Sequence, residues 1–326
     1  MHGAKISAIE YYLPTGILTS QEAASKNALP ESTRVEKLGI QQIHRAAENE
    51  TPSSMAAEAI NKLCTNSALD KKTIEFLILV TQNPDHNLPT TACITQHLAG
   101  LPTNILAYDI NQGCSGFVVA LAQASSLIKC GMFSKGIVVT AEAYNRIISP
   151  EDKDTFGLFG DAAAATLLER CAEDEGLMGF SFGSDGSGAN HLIRKNGGAV
   201  CAIDSSRDDF LYMNGRAIYN FVTLNLPHHI QTFLDQQTLD LNSVDHWYFH
   251  QANKFMNSKL CSLLQISPEN AYFDISSIGN TVSSSIPIAI KKSQEADLPL
   301  PSTSIFCGFG VGLSWGSCLY KNLQRV

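Results

Sequence analysis

Several things are scarce in this sequence, and each scarcity excludes something. Charged residues are only 17% of the 326 positions, and basic ones are the minority, 23 Lys and Arg against 31 Asp and Glu. A chain with a net charge of −8 offers no broad basic face, so nucleic acid is excluded as the first guess at a ligand. A phosphate-bearing ligand would have to be met by a few local cations. The longest apolar runs reach about half the roughly 20 residues a membrane-crossing helix needs, so no membrane span is expected. Nine cysteines are an odd number, and none stands in a C-x-x-C, which excludes a disulfide ladder and a zinc ribbon. The start, Met1-His2-Gly3-Ala4-Lys5, has no basic stretch leading into an apolar one, so no signal peptide is expected and the location is read as cytoplasmic. No G-x-G-x-x-G opens a helix after a strand and no Walker A occurs, so neither a nicotinamide nor a nucleotide cofactor is implied. His246 and His250 are four apart on a strand pattern without a third ligand, so no metal is expected.

What is present is 44% apolar residues, enough for one large core or two fused ones, arranged as alternating strand and helix signals. Phe76–Thr81, Ile105–Ile110 and Gly136–Thr140 are short continuous apolar runs, as in strands buried on both faces. Helical spacing covers Ser54–Leu63, capped by Ser53 or Ser54, and Ser115–Lys129. The second half repeats this order: a helix from about Leu226 to Phe233, a strand over Asp245–His250, a strand-like Ala271–Ile275, a helix over Val282–Lys292 and a closing strand over Ser304–Cys307. The pattern reads as an internal duplication of two α/β units, 1–172 and 173–326, joined at the acidic stretch Glu169–Gly176. Residues 183–209 read as an irregular surface excursion.

Four segments carry candidate chemistry. In Asn111-Gln112-Gly113-Cys114-Ser115-Gly116 a buried strand ends in a glycine-flanked turn and a helix begins. A cysteine at a helix N-terminus meets free amides and the positive end of the macrodipole, which lower a thiol pKa. A buried structural cysteine is the competing reading. His250, in Phe249-His250-Gln251-Ala252-Asn253, stands at the C-terminal end of a strand, where open α/β sheets place ligands. Gln251 and Asn253 are candidates to orient its ring, against the plainer reading of a satisfied core histidine. By the duplication, Asn280 in Gly279-Asn280-Thr281 occupies the place of Cys114. Gly308-Phe309-Gly310-Val311-Gly312 reads as a glycine-rich turn after the last strand, with exposed N–H groups suited to an oxyanion hole. Gly312-x-Ser314-x-Gly316 is not a hydrolase elbow, because no His, Asp or Glu follows it.

Taken together the chain resembles the β-ketoacyl-acyl carrier protein synthase III family, condensing enzymes of the thiolase superfamily. The likeness rests on Gly39-Ile40 with His44, Pro89-x-x-Ala92-Cys93, Cys114-x-Gly116-Phe117, Phe159-Gly160-Asp161 with Ala163, Met213-x-Gly215, His250-Gln251-Ala252-Asn253, Gly279-Asn280-Thr281 and Phe309-Gly310-x-Gly312-x-x-Trp315-Gly316-Ser317. It implies an α/β, five-layered αβαβα fold of two duplicated halves and a homodimer. It also implies Cys114 as the nucleophile that takes an acyl group from acyl-CoA, and His250 and Asn280 as donors for the decarboxylation of a malonyl-carrier protein. The backbone N–H groups of Cys114 and Val311 would form an oxyanion hole, and Phe309 would wall the site. Gly215, Arg216 and Asn253 would line the substrate path. No cofactor is implied beyond these substrates.

The departures are also informative. Where the family has a Trp and Arg side chains around the CoA adenine, this chain has Thr33, Lys37 and Lys153, which loses stacking and bidentate donors. Lys254 and Lys259 stand where an Arg helps dock the acidic carrier. Leu88 replaces a Phe that closes the acyl pocket across the dimer, which leaves room for a primer larger than acetyl. Two further readings stay open: a synthase III-like enzyme of a secondary-metabolite or signal pathway using a non-acetyl group, and a subunit of a heteromeric synthase.

Overall fold

The computed structural model describes residues 2–27, 29–200, 209–296 and 302–322. The first half runs β1 (Gly3–Tyr12), β2 (Gly16–Thr19), α1 (Ser20–Lys26), β3 (Gln42–Arg45), α2 (Pro52–Asn66), β4 (Phe76–Val80) and α3 (Thr91–Leu98), then β5 (Leu106–Ile110), α4 (Gly116–Lys129), β6 (Lys135–Glu142) and β7 (Ala162–Cys171). Then follow β8 (Gly176–Ser184), β9 (Leu192–Arg194), β10 (Leu211–Met213), α5 (Gly215–Gln237) and β11 (His246–Phe249). The chain ends with α6 (Lys254–Leu264), α7 (Ser285–Glu295), β12 (Thr303–Gly310) and β13 (Ser314–Lys321).

The large sheet has the order β11-β12-β13-β8-β1-β7-β6-β4-β5. Its two leaves meet only where β1 pairs with β8 at Ala4 and Gly176. Alternate strand residues point to opposite faces, and this alternation builds the layers. Leu77 and Leu79 of β4 pack with α2 and α3, while Phe76, Ile78 and Val80 turn to the centre. In the other leaf Trp247, Phe249, Ile305 and Cys307 pack under α5 and α6, while Tyr248 and Phe306 turn to the same centre. That central layer is α4 and α7. Phe117, Val118, Leu121 and Ile128 of α4 are all fully buried there, each stabilising by about 1.5–3 kcal/mol. The result is the expected helix–sheet–helix–sheet–helix stack.

Several local expectations need correction. The cap of α2 is Thr51, whose side chain accepts from Ser54 N in a reciprocal capping box, with Pro52 opening the helix. The helix expected over Leu226–Phe233 is 23 residues long and includes Pro227. Val282–Ser284 is a 3₁₀ turn that precedes α7. The glycine-rich segment does not follow the last strand: Gly308–Gly310 end β12, and residues 311–313 turn the hairpin into β13. The stretch 183–209 is not wholly irregular, since β9 pairs with β10; positions 201–208 of it lie outside the described residues.

Ala271–Ile275 is no strand, and makes only one bridge, Ala271 to Trp247. The reason is Gln251. Its Nε2 donates to Phe249 O (2.8 Å) and Tyr272 O (3.1 Å), and its Oε1 accepts from Asp274 N (3.1 Å). A side-chain amide thus takes the place of a backbone ladder.

Candidate active site

Cys114, His250 and Asn280 open onto one cavity of about 640 Å³. Each arrives from a different element. Cys114 sits in the turn between β5 and α4, where Gly116 N donates to Gly113 O at 2.8 Å. Ser115 Oγ shares a 2.7 Å hydrogen bond with Ser314 Oγ of β13, which ties this turn to the opposite leaf. The approach of β12 depends on glycine: a Cβ at Gly308 would lie 2.5 Å from Cys114 O, and one at Gly310 3.0 Å from Cys114 Sγ.

Asn280 is held by both halves. Its N donates to Leu158 O and its O accepts from Gly160 N, each at 2.9 Å. Its side-chain Oδ1 accepts from Val282 N at 2.9 Å, while Nδ2 makes only a long 3.4 Å contact with Ala252 O. With its acceptor engaged, the amide has hydrogen-bonding capacity left on its donor nitrogen. His250 follows β11 and is 2% exposed. Its Nδ1 lies 2.7 Å from Ser285 Oγ, and its ring stands edge-on to Phe309, centroids 5.5 Å apart.

The electrostatics correct one expectation. The thiol of Cys114 is not lowered. Burial, and then the Glu142 carboxyl behind it, push it up to about 12, with its own backbone N–H pulling the other way. A helix N-terminus lowers a thiol pKa only when desolvation does not outweigh it. Burial also drives His250 down to about 3, against a backbone hydrogen bond with Val282, so the imidazole is neutral. His229, packed on Trp315, is likewise lowered to about 4 by burial and then by His228. Both fold in the neutral form and must take up a proton when the chain unfolds in acid. Their contribution is present above about pH 6.5, the unfolded value, and is lost as pH falls toward 4 and 3. Thermal midpoints recorded from about pH 8 down to pH 4 should therefore fall below pH 6.5, and the fall should be smaller in His229→Gln.

The other expected residues divide. Thr33, Lys37, Lys153, Gly215, Arg216, Asn253 and Phe309 line the cavity. Val311 does not; its neighbour Gly310 does, and the positive φ of the hairpin falls on Gly312. Leu88 is 82% exposed and lies away from the cavity of its own chain. Lys254 and Lys259 flank Phe255 on α6, beside a shallow groove that also meets Lys37 and Glu36. Gln251 and Asn253 do not orient His250. Gln251 serves the 272–274 backbone, and Asn253 caps α6 by accepting from Met256 N at 2.8 Å. The residue at the ring is Ser285, which sequence reasoning missed. The signal for it was three consecutive serines, Ser283–Ser285, leading into the apolar first turns of a helix. Among the described residues no cluster of three or more His, Cys, Asp or Glu is placed to hold a metal, and no helix is long and apolar enough to cross a membrane.

A five-layered, duplicated α/β fold whose cavity gathers a cysteine and a histidine that follow strands and an asparagine from the loop before a 3₁₀ turn defines a thiolase-like condensing enzyme. Comparison with known proteins narrows the class. The family model described as 3-oxoacyl-[acyl-carrier-protein (ACP)] synthase III matches residues 108–186, and its C-terminal counterpart matches 234–322. The beta-ketoacyl-[acyl-carrier-protein] synthase III of Streptococcus suis is 33% identical over 324 residues, 98% of both chains. That of Lactococcus lactis is 32% identical, covering 97% of this chain and 98% of its own. A crystal structure of a 3-oxoacyl-(acyl-carrier-protein) synthase III superposes with a TM-score of 0.94 at 34% identity, covering 98% of this chain and 100% of that one. The chain belongs to the β-ketoacyl-acyl carrier protein synthase III family.

Proposed function

We propose that this protein loads an acyl group from acyl-CoA onto Cys114 and condenses it with a malonyl thioester on acyl carrier protein. The observation that supports this above all others is the convergence of Cys114, His250 and Asn280 on one cavity. In the first half-reaction the Cys114 sulfur attacks the thioester carbonyl, the C–S bond to CoA breaks, and the thiol proton leaves with the CoA sulfur. Because the thiol rests neutral, its deprotonation accompanies attack, and the charge forms beside the N-terminus of α4. In the second, the malonyl group loses CO₂ and charge builds on its thioester oxygen. Nε2–H of His250 and Nδ2–H of Asn280 stabilise that charge. The carbanion attacks the acyl carbonyl, and the released Cys114 thiolate takes up a proton. The N–H of Cys114, with an amide of the Gly310–Val311 segment whose Gly310 lines the cavity, receives the carbonyl oxygen at sulfur, and Phe309 keeps water from the acyl-enzyme. Metal and organic cofactors have no part in this chemistry.

Lys37, Lys153 and Arg216 at the cavity mouth are the local cations for CoA phosphates, with Gly215 and Asn253 beside the path. Lys254 and Lys259 offer the acidic carrier a positive approach on an otherwise acidic chain. A homodimer is supported by β5, the outer strand of its leaf, and by the exposed Leu88, Leu98 and Leu106 on that side of the sequence. In such a dimer Leu88 is the residue to close the partner's acyl pocket. The two halves, 1–172 and 173–326, supply the nucleophile and the donors respectively.

Intact-protein mass spectrometry after incubation with acyl-CoAs from acetyl to dodecanoyl, with branched and aromatic members, tests this reading. The expected result is a single acyl adduct, strongest for a group larger than acetyl. Absence of an adduct from every acyl-CoA would overturn acyl-CoA as the donor.

A further inference from the structure

Behind the cavity lies a carboxyl that the chemistry above does not use. Glu142 ends β6 and is fully buried, with no salt-bridge partner among the described residues. Instead Ser283 Oγ lies 2.9 Å from its Oε1, Thr81 Oγ1 3.3 Å from its Oε2, and Gln82 N donates to it at 3.1 Å. Burial raises the carboxyl to about 8, so it needs no counter-cation at neutral pH. Two residues earlier, Thr140 Oγ1 shares a 2.8 Å hydrogen bond with Ser284 Oγ. Four consecutive buried residues thus make four organising bonds: Val282 N to Asn280 Oδ1, Ser283 to Glu142, Ser284 to Thr140, and Ser285 to His250 Nδ1. Val282 holds a left-handed φ of 53°, a conformation a β-branched residue keeps only when its surroundings over-determine it.

We propose that Glu142 and Ser283 form a positioning pair that anchors the Val282–Ser285 turn to β6, so that Asn280 and His250 present their N–H groups to the decarboxylating malonyl thioester. The pair touches no substrate. Through Ser283 it acts on condensation and leaves acylation of Cys114 alone, because the turn holds the two donors and not the nucleophile; the Glu142 carboxyl by itself also bears on the Cys114 thiol. The inference rests on the functional reading above.

The test uses the full chain as wild type, Ser283→Ala, Glu142→Gln and the double variant. Acyl-enzyme formation is read by intact mass, CO₂ release is read from malonyl-carrier protein, and thermal midpoints are recorded. Ser283→Ala should load acyl groups within about twofold of wild type yet release CO₂ about tenfold more slowly, the scale of one hydrogen bond. The fall should lie in kcat, with KM for the malonyl thioester little changed. The double variant should be about as slow as Ser283→Ala, since an amide at position 142 can still bond the Ser283 hydroxyl but finds no hydroxyl at 283 in the double variant. If Glu142→Gln fails to fold, Ser283→Ala decides alone. Loading and CO₂ release falling in equal proportion in Ser283→Ala, or CO₂ release unchanged in it, would overturn the pair. A wild type that takes no acyl group would instead overturn the functional reading.

Discussion

Cys114→Ala should take up no acyl group from any acyl-CoA, and condensation should fall by on the order of 10⁴–10⁶, as when a nucleophile is deleted elsewhere. The size follows from the site. Among the described residues no other cysteine lines the cavity. Cys307 and Cys318 are buried in the core, and burial pushes their thiols up, Cys307 to about 12 and Cys318 well above the ordinary value. Cys93 and Cys130 are exposed and can pick up acyl groups without selectivity, so the adduct must be mapped to its peptide. The substitution removes one sulfur from a turn whose backbone is set by Gly113 and Ser115, so the thermal midpoint should stay close to wild type. A Cys114→Ala protein that still labels at the same peptide, or still condenses, would refute the nucleophile assignment.

His250→Ala and Asn280→Ala should give the converse pattern. Both should form the acyl-enzyme, and both should release CO₂ from malonyl-carrier protein about 10²–10³ more slowly, the usual value of one oxyanion donor. Asn280→Asp makes the sharper test. The carboxylate keeps an oxygen to accept from Val282 N and fills the same space, but it turns the donor toward the cavity into an acceptor. It should therefore be at least as slow as the alanine variant. Because burial holds His250 neutral, its donor N–H is present throughout, and CO₂ release should show no ionisation limb between about pH 5 and pH 7. Normal CO₂ release by either alanine variant would remove that residue from the mechanism, and a limb near pH 6.5 would show that the imidazole is not buried in its neutral form.

Part of the fold was legible because several strands are buried on both faces. Phe76–Val80 and Lys135–Glu142 are buried on both faces, and such strands read as unbroken apolar runs whatever their neighbours. The likeness of Ala271–Ile275 to Ala107–Ile110 misled, since similar residues make a strand only where a partner backbone is free to pair. There the partner groups were taken by the Gln251 amide. The strand–helix turn at Cys114 and the strand end at His250 were legible for the same local reason. The resemblance to a known family, carried by motifs spread along the chain, supplied the rest.

By itself, the sequence determined the class of fold, because strand and helix signals are local, and the family with its three polar residues, because the motifs that carry the resemblance are contiguous in the chain. The tertiary structure alone decided how those residues are held and charged. The thiol of Cys114 is raised because desolvation inside a packed core outweighs a helix terminus. The ring of His250 is met by a serine 35 positions away rather than by its neighbours in sequence. Hydrogen-bond direction and dielectric depend on what surrounds a group in space, and that surrounding is assembled only when the two leaves close on the central helices.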